Sequence, residues 1–157
     1  MGWLVWLCVQ TALAQTPVGR IEVTSFSRTA YGAGTQNWAI AFDHYGRIYI
    51  ANNEGLLIHN GTNWQLIPIP NKTILRSIAF AADGKLYAGA QDELGFFAPN
   101  KKGQLSYTTL KTLLPPGEQT FADIWDIETA GRDVFFRAND KIMRLSGGAL
   151  TVYKTTS

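Results

Sequence analysis

From residue 36 onward the chain alternates short apolar runs with breaks of Gly, Asn and Asp. In the first stretch the runs fall at 38–42, 47–51, 56–59 and 64–68. They are separated by Asp43-His44-Tyr45-Gly46, Asn52-Asn53-Glu54-Gly55 and Asn60-Gly61. Runs this short, rich in Ile, Trp, Tyr and Phe and bounded by turn formers, predict β-strands and not helices. Asn60-Gly61 between two such runs predicts a tight hairpin whose two central residues both take positive φ. Four antiparallel strands in about 35 residues is the size of one propeller blade.

The pattern then recurs. Residues 75–80 match 38–42, the Ala81-Ala82-Asp83-Gly84 turn matches residues 43–46, and Lys85-Leu86-Tyr87-Ala88 matches Arg47-Ile48-Tyr49-Ile50. Residues 94–97 and 104–110 supply the third and fourth strands. Ile48 and Leu86 stand 38 residues apart, and Tyr49 to Leu56, Tyr87 to Leu94 and Phe135 to Ile142 each span seven. A third, more divergent unit reads as strands at 123–127, 133–137, 141–145 and 149–153, after an insertion at 111–120 that contains Pro115-Pro116-Gly117. A period of this length is the signature of a repeat architecture. Alternation puts Trp38, Ile40 and Phe42 on one face of the first strand and Ala39 and Ala41 on the other. Both faces are apolar, as expected of a sheet covered on both sides by neighbours. No segment carries an apolar period of 3.6 residues, so no helix is predicted. The fold class is therefore all-β: about three four-stranded antiparallel β-propeller blades, at 36–71, 73–111 and 121–156, belonging to a larger propeller.

The segment QNW with NNEGLLIHNGTNW, followed by LRSIAFAADGKLYAGAQDELGFF, resembles the periplasmic propeller of bacterial two-component-regulator sensors. These are the propeller proteins with a triple-tyrosine domain, found in hybrid histidine kinases and LuxR-like regulators. Gly46 to Leu56 is similar to the repeat motif of that family; Gly84 to Leu94 departs from it at Glu93, and Asn139-Asp140-Lys141-Ile142 lacks its glycine. The resemblance covers residue 36 to the C-terminus. It implies an exported, ligand-sensing segment that is not itself catalytic, periplasmic, with a parent anchored in the inner membrane. It also implies that this chain is an N-terminal portion, its flanks meeting the remaining blades of the parent or another copy. Two other classes stay open: part of a propeller hydrolase or lyase acting on sugars or lactones, since SIAFAADGKLYAGA also looks like gluconolactonase-type strands, and a structural protein-interaction repeat.

Composition narrows these readings. Apolar residues make up 46% and charged residues 17%, and the net charge is +2. That is a globular chain with scattered Lys and Arg, without the basic stripe that nucleic-acid binding requires. Residues 1–14 form an apolar stretch ending in Thr11-Ala12-Leu13-Ala14, which reads as a secretory signal peptide; residues 15–35 are a lead-in with one strand expected at 21–26. Cys8 is the single cysteine, so removal of the leader leaves a domain without disulfides.

No catalytic constellation is visible. His44 and His59 are the two histidines and lack companion ligands for a metal, while Asp123, Asp126 and Glu128 do not converge on one strand face. No catalytic residue, metal site or cofactor is predicted. The loops carry more information. In a blade the connections between strands 2 and 3 lie on one rim with those that lead into the next strand 1. That rim collects amides and carboxylates, and the candidate ligand-binding residues are Asn37, Asn52, Asn53, Glu54, Arg76, Gln91, Asp92, Glu93 and Asp123. Side-chain amides offer both donors and an acceptor, so they suit a small polar ligand such as an oligosaccharide. Arg76, a charge inside an apolar strand, has three readings: snorkelling outward, pairing with Asp92 or Glu93, or facing the propeller axis as an anion ligand. Trp38, Trp64 and Trp125 are expected in the core between blades, with stacking on a sugar as the alternative reading.

Overall fold

The computed structural model describes residue 19 and residues 22–155. The predicted leader and its cleavage position lie outside them.

Among the described residues twelve strands form three separate four-stranded antiparallel sheets, and each sheet is a meander in chain order. The first contains β1 (Asn37–Phe42), β2 (Ile48–Asn52), β3 (Gly55–His59) and β4 (Trp64–Ile67). The second contains β5 (Leu75–Phe80), β6 (Leu86–Ala90), β7 (Glu93–Pro99) and β8 (Leu105–Thr109). The third contains β9 (Asp126–Ala130), β10 (Asp133–Arg137), β11 (Lys141–Ser146) and β12 (Ala149–Lys154). The first strands converge: β1 packs on β5 and β5 on β9. These are propeller blades stacked face to face, an arrangement that buries both sides of the middle sheet.

Each blade-to-blade interface repeats one recipe. The blade 1–blade 2 core joins Tyr49, Ala51, Leu56 and Ile58 of the first sheet to Ile78, Leu86, Ala88 and Phe97 of the second. The blade 2–blade 3 core joins Tyr87 and Leu94 to Ile127, Val134, Phe136, Met143 and Leu145. Tyr49 meets Phe80 edge-on with centroids 5.1 Å apart, and Tyr87 meets Phe136 edge-on at 6.0 Å. A carboxylate from the preceding turn holds each tyrosine hydroxyl: Tyr49 donates to Asp43 Oδ2 (3.2 Å) and Tyr87 to Asp83 Oδ2 (3.1 Å). Burial, reinforced by Asp83, pushes the Tyr87 hydroxyl up to about 12.

Several expectations are corrected. Residues 22–26 form no strand; the lead-in instead ends in a single helical turn, α1 (Arg28–Tyr31), stopped by Gly32 at φ +62°. The segment lies across the outer half of blade 1, where Phe26 packs on His59 and Trp64 and Tyr31 packs on Trp64. The insertion also folds into two short 3-10 turns, Lys111–Leu113 and Pro116–Glu118. At the Asn60-Gly61 hairpin only Gly61 has positive φ. Asn60 instead turns its side chain back, its Oδ1 accepting from the backbone N–H of Thr62 and Asn63. The first strand of blade 3 starts at Asp126, three residues after the expected 123, because Asp123 and Ile124 are drawn into contacts with blade 2. Finally, β1 is not covered on both faces: Ala39 and Ala41 pack on blade 2, whereas Ile40 and Phe42 are exposed.

Candidate functional site

The same local irregularity opens the inner strands of blades 1 and 2. In β1 the pairing with β2 slips between Asn37 and Ala39, and in β5 the pairing with β6 slips between Leu75 and Ser77. The extra residues, Trp38 and Arg76, are thrown out of the ladder as β-bulges, which re-aim a side chain at a sheet end. In blade 3 the backbone N–H of Trp125 donates to the Arg137 carbonyl, although Arg137 already faces Asp126. Trp125 thus occupies the equivalent position.

These three side chains meet at one rim. The Arg76 guanidinium lies over the Trp38 ring at 4.0 Å and over the Trp125 ring at 4.9 Å. The two indoles are 6.2 Å apart at an angle of 71°. Cation–π contacts of this kind contribute roughly 0.5–2 kcal/mol each, more as water is excluded. Arg76 Nε also donates to Asp123 Oδ1 at 2.9 Å, an ion pair across the blade 2–blade 3 boundary. Each indole is anchored from the loop between the second and third strands of its own blade. Trp38 Nε1 donates to Asn53 Oδ1 and Trp125 Nε1 to Asn139 Oδ1, both at 2.7 Å. Asn53 in turn donates to Gln36 Oε1 at 2.9 Å. Yet both indoles stay open to solvent, Trp38 at 40% and Trp125 at 39%. They are rim residues and not the core residues that the sequence led us to expect. Trp64 differs: it is half-buried beneath the lead-in segment.

The other candidates separate into two groups. Arg76, Asp123 and Asn53 belong to this cluster, and Gln91 stands beside it, its backbone bridged to Asp123 and its side chain exposed. Asn37 flanks it but is tied to Asn52, which donates to Asn37 Oδ1 at 2.7 Å. Asn52 itself is fully buried. Its Oδ1 accepts from the N–H groups of Gly34 and Glu54, and its Nδ2 donates to the carbonyls of Gly34 and Gln36. It staples the lead-in to blade 1 and presents no surface to a ligand. Glu93 is buried too, accepting from Leu94 N–H, Tyr107 Oη and Thr109 Oγ1. Burial together with Glu93 pushes the Tyr107 hydroxyl far above its ordinary range. Asp92 takes φ +52°, pairs with Lys111 at 2.8 Å and accepts from Phe121 N–H, so it locks the insertion in place. Neither Asp92 nor Glu93 reaches Arg76, whose partner is Asp123. Glu54 lies apart from the cluster, in a hollow with Arg28, Thr29 and Gly32.

The sequence-based list lacked Trp38, Trp125 and Asn139. Aligning the repeats on their second strands would have found them, because Trp38, Arg76 and Trp125 then share one position and Asn53, Gln91 and Asn139 another.

A cleft of about 590 Å³ opens on the opposite rim between blades 2 and 3, lined by Asp83, Lys85, Tyr87, Phe96 and Arg132 among others. A counterpart of about 300 Å³ lies between blades 1 and 2, beside Asp43, Arg47 and Tyr49. Its recurrence marks the gap as a product of blade splay. Among the described residues no group of three or more His, Cys, Asp or Glu is placed to hold a metal ion. The rim cluster is equipped for stacking and hydrogen bonding, and its one carboxylate is committed to Arg76.

No family model and no curated protein matches the chain. Solved structures do. The extracellular domain assigned to a one-component system of B. thetaiotaomicron aligns with TM-score 0.65 at 16% identity, over 87% of this chain and 19% of that one. The extracellular domain of a hybrid two-component system from the same organism aligns with TM-score 0.58 at 15% identity, over 85% and 17%. Virginiamycin B lyase from Staphylococcus aureus aligns with TM-score 0.57 at 18% identity, over 78% and 42%. These likenesses establish the fold. The chain spans less than half the length of any of these neighbours.

Proposed function

We propose that the chain is the ligand-binding part of an exported propeller sensor, of the kind found in two-component regulators, and that it binds without turnover. The observation that carries this reading is the Trp38–Arg76–Trp125 assembly. Two bulges, at Trp38 and Arg76, and the equivalent Trp125 just before β9 aim two half-open indoles and a guanidinium at a single point on the rim, with Asn53, Asn139 and Gln91 around it. Aromatic faces with neighbouring amide donors and acceptors suit a small polar ligand with apolar ring faces, such as an oligosaccharide. No nucleophile–base pair accompanies them among the described residues. Two of the neighbours, extracellular domains of regulators, support the export and signalling parts of the reading. No described helix is long and apolar enough to cross a membrane.

The test is tryptophan fluorescence and calorimetry on the full chain against a panel of neutral and acidic oligosaccharides, with chromatography of each sugar after incubation. The expected result is saturable binding with the sugar unchanged. Trp38→Ala and Trp125→Ala should each weaken it at least tenfold, equivalent to about 1.4 kcal/mol. Conversion of any sugar would favour the lyase or hydrolase reading, and equal binding by the variants would place the site elsewhere.

A further inference from the structure

The two ends of the blade stack are chemically unlike, and the difference is written in equivalent residues. Each blade has a face turned toward the next blade and a face turned toward the previous one. On the next-facing side the inner two strands of blade 1 carry Ala39, Ala41, Tyr49 and Ala51, and those of blade 2 carry Ser77, Ala79, Tyr87 and Gly89. Apart from the one tyrosine in each blade, the residues are small because converging sheets approach most closely there. A Cβ added to Gly89 would collide with the Ile124 side chain and the Ser77 hydroxyl. The previous-facing side carries larger apolar residues: Ile78 is 8% exposed beneath blade 1 and Ile127 is 6% exposed beneath blade 2.

At the free ends this recipe holds on one side and fails on the other. Ile40 and Phe42 are the equivalents of Ile78 and Phe80, yet they are 60% and 63% exposed. Beyond β1 the same face is already covered, with Ile50 and Leu57 buried against Tyr31 and Ala33. What stays bare is the half into which a neighbour's inner strands would fit. On blade 3 the positions that are small in blades 1 and 2 hold Asp126, Glu128 and Arg137, and Arg144 stands where Ile58 and Phe96 stand. The two arginines are paired within their own sheet, Arg144 with Asp133 at 2.6 Å and Arg137 with Asp126 at 3.8 Å.

We propose that the Ile40–Phe42 face of β1 seats a further antiparallel sheet whose inner strands are built from Ala, Ser and Gly, and that a second copy of this chain does not fill that seat head to tail. The two existing interfaces show what such a face accepts, and a small-residue sheet continues them. Blade 3 of a second copy would press Glu128 and the Asp126–Arg137 pair onto Ile40 and Phe42, desolvating an unpaired carboxylate and a long ion pair, which is strongly unfavourable.

The experiment rebuilds the excluded partner. Asp126→Ser, Glu128→Ala, Arg137→Gly and Arg144→Phe together give blade 3 the face that blade 2 presents. Light scattering over a concentration series should show the wild-type chain at the same mass with or without Ile40→Glu. The rebuilt variant should associate at concentrations at least tenfold lower, and Ile40→Glu should reverse this. Because four substitutions could disturb blade 3, a second arm fuses an extra copy of residues 73–111 ahead of residue 22. Hydrogen exchange at the β1 amides of that fusion should slow at least tenfold, and Ile40→Glu should restore the wild-type rate. The proposal is overturned if wild type itself associates and Ile40→Glu dissociates it, which would make a second copy the occupant. It is equally overturned if neither the rebuilt variant nor the fusion responds to Ile40→Glu.

Discussion

Arg76 and Asp123 stand 47 residues apart in the chain and meet at 2.9 Å, joining the inner strand of blade 2 to the entry of blade 3. Their side chains are only 11% and 15% exposed. Removing either member therefore strands the other in a poorly hydrated place, where an unpartnered polar group costs about 1–3 kcal/mol. Asp123→Ala should lower the urea midpoint accordingly and leave Arg76 stacked between the indoles. The double variant Arg76→Met with Asp123→Ala should recover part of the loss. An unchanged midpoint for the single variant would show that the pair is solvated in solution.

Asn52 and Asn53 are adjacent but should respond differently. Asn52→Ala removes the amide that ties Gly34, Gln36 and Asn37 to β2, and should cost about 1–3 kcal/mol. Limited proteolysis would then cut sooner within residues 26–36. Asn53→Ala frees two exposed partners, the Trp38 indole and the Gln36 side chain, so its stability change should stay under about 1 kcal/mol while tryptophan emission shifts to the red. Reversed phenotypes would exchange the structural and rim roles assigned to the two.

Glu118 ties the insertion to blade 3 through Lys141 (2.7 Å) and Lys154 (2.9 Å). Hydrogen bonds from these two ammonium groups hold its carboxyl at about 2, below the ordinary 4.5. A depressed carboxyl contributes stability that is present above 4.5 and is lost as pH falls toward 2. Denaturant melts across that window should fall more steeply for wild type than for Glu118→Gln. Parallel curves would remove Glu118 from the acid response.

Gly89→Ala should be among the most damaging single-methyl additions. Its new Cβ would be driven into Ile124 at the blade 2–blade 3 interface, and overpacking of this kind costs about 1–3 kcal/mol. Gly84→Ala should act differently: its Cβ meets nothing, but its φ of +78° strains any residue with a side chain, by about 1–2 kcal/mol. A double-mutant cycle with Ile124→Ala separates the two causes by thermal melting, since loss of the Ile124 Cγ2 atom should offset part of the cost of Gly89→Ala and none of that of Gly84→Ala.

The strands could be read from the chain because their causes are local. An apolar run of Trp38 to Phe42 or Leu75 to Phe80, bounded by Gly, Asn or Asp, has only a strand to form, and its recurrence at 38 residues repeats the same answer. The amides of the rim were legible for the same reason, since turns take Asn and Asp. What lies between blades was not. Alternation shows that Ile40 and Ala41 face opposite ways, but nothing within β1 says that blade 2 covers Ala41 while Ile40 is left open. Nor does any local pattern single out Asp123 among the carboxylates near Arg76, or lift Trp38 and Trp125 out of the core. Those outcomes depend on how far each bulge turns its side chain and how closely two sheets approach, distances set by contacts between residues dozens of positions apart. Tertiary packing alone joined Trp38, Arg76 and Trp125, because each stands at the start of a different sheet and the three meet only when the sheets converge.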